Sequence, residues 1–210
     1  MNHEQHEGEG FVEFSIRTRK DLVNGAEIRN QAEIVFDVNQ PILTNEVMHT
    51  LDSSGPSSQI GVLPPTVLSR AIALNLAGSD EGGSSVQYYD IYVSDNDGPF
   101  TYWITTSEPS VVFAGECGHR YSFYSVAVDF VGNAEAHPPV PDVTTEVLAI
   151  KGDTDGSGDV ELADMILTLQ SMNKTDQAEL SVNICADVNG DGKIGVEEVI
   201  YILQKLGGMR

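Results

Sequence analysis

From Asp153 the chain reads DTDGSGDVELAD, and from Asp187 it reads DVNGDGKIGVEE, the same pattern 34 positions further on. Oxygen-bearing side chains stand at positions one, three, five and twelve of each copy, with glycine at six, where a calcium-binding loop turns sharply. In the first copy the candidate ligands are Asp153, Asp155, Ser157, the backbone carbonyl of Asp159, and Asp164, with Glu161 at the ninth place. In the second they are Asp187, Asn189, Asp191, the carbonyl of Lys193, and Glu198, with Gly195 at nine. The pattern predicts two Ca²⁺ ions, bound as the loops fold, so that metal binding contributes to folding. Ser157 is neutral and Asp164 is shorter than Glu, so the first site is expected to be the weaker, although Asp159 and Glu161 add negative charge beside it. Val160 and Ile194, apolar at position eight, predict a short β-bridge between the two loops.

Each loop runs into an apolar-periodic segment, ELADMILTLQSM and GVEEVIYILQKLGG, with Gly207-Gly208 closing the second. The acid at position twelve falls in the first helical turn, where the helix dipole favours negative charge. The spacing of Met165, Leu169 and Met172, and of Val199, Ile202, Leu203 and Leu206, predicts a core between the helices. Leu167 and Tyr201 fall on the other side of the helical wheel, facing away from that core. The strand-like TTEVLAIKG precedes the first loop, so the repeating unit is a loop followed by one helix.

This duplicated unit, over about 151–208, resembles the type I dockerin family. The resemblance implies two units packed antiparallel around two calcium ions, and docking onto a cohesin module of a scaffold protein, as in cellulosome-like assemblies. Dockerins commonly sit on polysaccharide-degrading proteins, so polysaccharide catabolism is what the resemblance implies for the parent protein. It also implies partner contacts through loop positions ten and eleven and the following helix: Leu162, Ala163, Leu167 and Gln170, then Val196, Glu197, Tyr201 and Gln204. Leu162-Ala163 and Val196-Glu197 stand where clostridial members often carry Ser-Thr, so the identity of the cohesin does not carry over.

Upstream, short alternating segments separated by turn signals predict strands near 69–77, 86–94, 100–105, 110–114, 120–129 and 142–149, a β-sandwich. SVQYYDIYVSDNDGPFTYWIT and GHRYSFYSVAVDFVGN, within 59–146, resemble fibronectin type III repeats of bacterial extracellular proteins. The resemblance makes Tyr121 a candidate corner tyrosine and Asp129, Gly132 and Asn133 the turn after the long strand. Leu76 stands where such repeats usually place a core Trp. EAHPPVPDVTT cannot be helical and is expected to run extended into the last strand.

LDSSGPSS, residues 51–58, reads as a linker. Residues 1–50 read as a hairpin: FVEFSIR and EIRNQAEIVFD alternate on either side of Asn24-Gly25. Its apolar face (Phe14, Ile16, Ile28, Ile34, Phe36) requires a further partner. GAEIRNQAEIVFDVNQPILTN resembles the closing strands of immunoglobulin-like repeat domains, which implies a remnant of a preceding domain. The fold class expected is thus multidomain: an all-β fibronectin type III-like sandwich over 59–146, then a small all-α, EF-hand-like calcium-loop module over 147–210.

The chain carries 32 acidic against 11 basic residues in 210, a balance that disfavours nucleic acid and anionic lipid as partners. Cys117 and Cys185 lie in different modules and read as free or buried thiols, a bridge between them staying open. No apolar run is long enough for a membrane span, and the polar start MNHEQHEGEG is not a signal peptide. The modules nevertheless read as extracellular or cell-surface, with an export signal expected upstream of this chain. His3 and His6 are one residue too close for a zinc-protease helix motif, His49, His119 and His137 lack partners at metal-ligand spacing, and no nucleophile elbow is present, so no enzyme is expected. Asn173-Lys174-Thr175 matches a glycosylation acceptor. Three readings follow: a calcium-dependent docking module with a sandwich spacer, a calcium-stabilised C-terminal cap without a cohesin, and an accessory glycan-binding part in which Tyr102 and Trp103 contact sugar.

Overall fold

The computed structural model describes residues 13, 15–19, 21–35, 38–173 and 182–209, and the chain divides into two compact units, Met1–Ser53 and Ser54–Arg210. Phe14, Phe36, His3, His6 and the Lys174-Thr175 half of the glycosylation motif lie outside the described residues.

In the first unit, β1 (Glu27–Asn30) pairs antiparallel with β4 (Val47–Thr50), and β2 (Glu33–Ile34) with β3 (Ile42–Leu43). The hairpin therefore lies further along the chain than the sequence predicts. EIRN takes VMHT as its partner, and residues 15–19 form no strand. Mutual hydrogen bonding continues the ladder past β1: Gly25 N–H donates to the Leu51 carbonyl and Leu51 N–H to that of Ala26, each at 2.8 Å. Every residue of these four strands is exposed, as the unpartnered apolar face requires.

The second unit opens with a sandwich. Its smaller sheet runs β10 (Ser110–Ala114), β7 (Ala71–Ser79), β5 (Ser57–Ile60), and its larger sheet β6 (Thr66–Val67), β12 (Val143–Val147), β11 (Arg120–Asp129), β8 (Val86–Asp95), β9 (Thr101–Thr106). All pairs are antiparallel except β6 with β12. Period-two alternation sends Ile72, Leu74 and Leu76 of β7 inward against Ile91 of β8 and Phe123 of β11, with Ile60 and Val147 closing the core. Each such side chain contributes about 1.5–3 kcal/mol through burial. Leu76 does occupy a core position, and Tyr121 forms a corner, its phenolic oxygen accepting the Glu116 N–H at 2.9 Å. The turn after β11 closes on Asp129, whose carboxylate accepts the N–H groups of Val131 and Asn133.

The stretch read as a linker is partly strand. Ser57 and Ser58 begin β5, which the sequence hides because Ile60 is its only apolar residue. Ser58 is held by polar contacts instead, its hydroxyl meeting Ser125 at 2.9 Å and Glu135 at 2.5 Å. Acidic side chains from the extended segment between β11 and β12 complete the sandwich edge. Asp142 Oδ2 accepts the N–H of Ile60 in one sheet at 3.0 Å and of Ser125 in the other at 3.1 Å. Glu135 does the same for Ser58 and Ala127, each at 3.0 Å. These carboxylates stand in for strand partners that neither sheet supplies.

After β12 come α1 (Leu162–Met172), a single 3₁₀ turn (Ile184–Ala186) and α2 (Val196–Leu206). Among the described residues no helix is long and apolar enough to cross a membrane.

Candidate metal centre

The two loops build cradles from local hydrogen bonds with the same acceptor positions. Position one accepts the N–H of the position-six glycine, Gly158 to Asp153 at 3.0 Å and Gly192 to Asp187 at 2.7 Å. Position three accepts from position five, Ser157 to Asp155 at 2.9 Å and Asp191 to Asn189 at 3.0 Å. Position twelve folds back over the loop: Asp164 accepts from Asp155 and Glu161, and Glu198 from Val188 and Gly195. Gly158 and Gly192 adopt φ of +98° and +75°, a conformation that a side chain strains, which is why glycine stands at both.

Asp153, Asp155 and Asp164 each bring a carboxylate oxygen within 4.8 Å of the others. Asp153 and Asp164 are buried. Such all-oxygen convergence fits a hard divalent cation, and the residues fit Ca²⁺. The Ser157 hydroxyl lies 3.4 Å from the Asp159 carbonyl, so both remaining first-loop donors belong to the same turn. Burial, with Asp164 and Asp155 nearby, holds the Asp153 carboxyl above its ordinary range despite the Gly158 and Ser157 N–H groups. At Asp155 and Asp187 burial acts in the same direction but is outweighed, by Ser157 at the former and by the Gly192, Gly190, Asn189 and Asp191 N–H groups at the latter, so both carboxyls sit low. Lys193 meets the loop through its backbone, its N–H donating to Asp191 at 2.9 Å.

The loops are joined differently from the expected pairing at position eight. The described residues contain no β-bridge between Val160 and Ile194. Contact runs instead through the residues just ahead of each loop and at its start: Gly152 N–H to the Ala186 carbonyl at 2.8 Å, Asn183 N–H to the Thr154 carbonyl at 2.9 Å, and Lys151 Nζ to the Val188 carbonyl at 3.0 Å. Asn183 also donates its amide to the Asp153 carbonyl at 3.0 Å.

The helices are rotated from their expected setting. Asp164 and Glu198 must face their own loops, and the residues four along, Thr168 and Ile202, share that face and are buried. Leu169, Met172, Leu203 and Leu206, expected in a core between the helices, are instead close to half exposed, while Met165 and Val199 are half-buried. Leu167 and Tyr201, expected to face outward, are half-buried. The Tyr201 ring lies against Gly152, where a Cβ would come within 2.9 Å of it. Of the expected partner residues, Leu162, Ala163, Gln170, Val196 and Glu197 are exposed and Gln204 is half-buried.

Cys117 and Cys185 are not free thiols. They form a disulfide spanning 68 residues. Cys117 follows β10 and Cys185 sits in the 3₁₀ turn ahead of the second loop, so the bond fastens the loop module to the sandwich. A lone pair of cysteines far apart was the available signal. The bond belongs to an oxidising compartment, in keeping with an extracellular protein.

Residues 1–50 match the protein family described as "Domain of unknown function (DUF7619)". No curated protein matches the chain in sequence. Among solved structures the chain is similar to the fibronectin(III)-like modules of Clostridium thermocellum CbhA, at 16% identity and a TM-score of 0.34. That match covers 56% of this chain and 60% of the other.

Proposed function

We propose that this chain is a non-catalytic, calcium-dependent docking region: a fibronectin type III-like spacer followed by a dockerin-like module that attaches a secreted, polysaccharide-degrading parent protein to a cohesin-bearing scaffold. The observation that carries the reading is that the side chains at positions one, three and twelve accept loop N–H groups in both copies, with three convergent carboxylates in the first. Asp153, Asp155, Ser157, Asp159 and Asp164 would hold one Ca²⁺, and Asp187, Asn189, Asp191, Lys193 and Glu198 the second. The ion neutralises carboxylates that repel one another without it, and so fixes each helix start against its loop. The exposed residues at loop positions ten and eleven, Leu162-Ala163 and Val196-Glu197, are then presented on ordered helix ends. Size-exclusion chromatography of the full chain with cohesin modules of the same genome is the test. A complex formed in calcium and lost in EDTA supports docking, and no complex with any of them refutes it.

The disulfide favours a second reading, a calcium-stabilised cap without a cohesin. A module bonded to its neighbour is suited to holding that neighbour against unfolding. On that reading calcium raises the melting temperature of the chain, and no cohesin binds.

A further inference from the structure

The outer face of the larger sheet carries an organised aromatic row that calcium docking does not use. Tyr124, Tyr92 and Tyr102 are directly paired across β11, β8 and β9. They lie on the face opposite Ile91 and Phe123, which point into the core. Tyr92 and Tyr124 stack at 4.9 Å with planes 14° apart, and Tyr102 meets Tyr92 edge-on at 5.9 Å. Phe100 packs on Tyr124 at 4.7 Å, and His137 on Tyr92 at 5.0 Å, its Nδ1 lying 3.1 Å from the Tyr124 hydroxyl. Tyr124 is thus a buried floor, while Tyr102 is 56% and Phe100 38% exposed. The next outward row supplies polar atoms. Thr105 meets the Tyr102 hydroxyl at 2.9 Å and donates to Asp90.

We propose that this face binds a neutral polysaccharide chain. A sugar ring offers an apolar C–H face and a rim of hydroxyls, and the patch offers the complement: rings exposed on an open sheet, bordered by a carboxylate and hydroxyls. The charge of −21 repels anionic polymers, and neither outward row contains Lys or Arg to attract one. Trp103, the other aromatic singled out in the sequence, is turned inward against Phe113 at 5.0 Å and has no part in it. The site is independent of the metal loops, so it can stand if the docking reading fails, and the reverse.

Affinity electrophoresis of the full chain, in calcium, through gels carrying mixed-linkage β-glucan, xylan, hydroxyethylcellulose or polygalacturonate tests it. Retardation by at least one neutral polymer is expected, weakened by about tenfold or more in Tyr102→Ala, the scale of one interface hot spot. Phe100→Ala, at the margin of the patch, should weaken it in the same direction at a temperature well below the variant's own melting temperature. No retardation by any neutral polymer, retardation by polygalacturonate alone, or retardation unaffected by both variants would overturn the proposal.

Discussion

Cys185 is bonded to Cys117 in the sandwich and stands two positions ahead of Asp187, the first residue of the second loop. Through Asn183, which donates to the Asp153 carbonyl, the same short segment also holds the first loop. Cross-linking a chain segment of this length removes unfolded-state entropy worth about 4 kcal/mol in the chain-entropy treatment. Reduction, or Cys185→Ser, should therefore lower the stability of the loop module by up to about that amount and move the calcium midpoint to higher concentration. Calcium titrations followed by circular dichroism, with and without a phosphine reductant, check this. Superimposable curves would mean that the bond and the loops act independently.

The doubled cradle predicts two binding events by calorimetry, with dissociation constants between about 10⁻⁷ and 10⁻³ M, the span from sensor loops to extracellular ones. Asp153→Ala should remove one event and Asp187→Ala the other, since each carboxylate also accepts the turn glycine of its own loop. A single event in the unaltered chain would limit the metal function to one loop.

Asp142 joins two sheets through one oxygen. Asp142→Ala leaves the N–H groups of Ile60 and Ser125 without that acceptor, and a buried unsatisfied donor costs about 1–3 kcal/mol. The sandwich should melt at a temperature lower by several degrees while calcium binding persists. An unchanged melting temperature would show that water replaces the carboxylate at no cost.

Burial raises the Asp129 carboxyl, but the Asn133 side chain and backbone, Ser84 and the Val131 N–H outweigh it, so its folded pKa lies below the unfolded one. A depressed carboxylate pKa adds stability above the unfolded value, about 3.9, that is lost as pH falls through the folded value. Asp129→Asn should therefore cost stability at neutral pH and show a smaller further loss below about pH 4. Melting temperatures of both proteins from neutral pH into the acid range, in EDTA, measure the difference. Parallel curves would assign the acid loss to other groups.

What could be read from the sequence was what the chain encodes locally. The ligand spacing from Asp153 to Asp164 is complete within one loop, and its carboxylates do converge. The period-two run AIALNL settles β7 by itself because one of its faces is buried. Tertiary choices were not legible. EIRN could pair on either side, and only the ladder shows that it takes VMHT. The apolar stripe alone predicts the wrong rotation of α1 and α2, because the acid at position twelve has to reach its loop. The hydrogen bonds of that acid to its loop override the apolar stripe in helices this short.

That rotation moves the test of docking. Leu167 and Tyr201 are half-buried, and Tyr201 packs on Gly152, so charge placed there would disturb the module itself. Leu162 and Val196, at position ten of each loop, are 55% and 50% exposed and make the cleaner probes. Exposed aliphatic residues on a small module gain burial only against a partner, and a hot-spot truncation typically costs about 2 kcal/mol or more. Ala163 and Glu197 at the next position differ in charge, so the two copies cannot present identical surfaces, and one helix should dominate. Leu162→Asp and Val196→Asp are thus expected to leave both calcium events intact and to weaken cohesin binding unequally. Equal losses would point to two interchangeable modes. A cognate cohesin that binds both variants as tightly as the parent would remove this face from the docking surface.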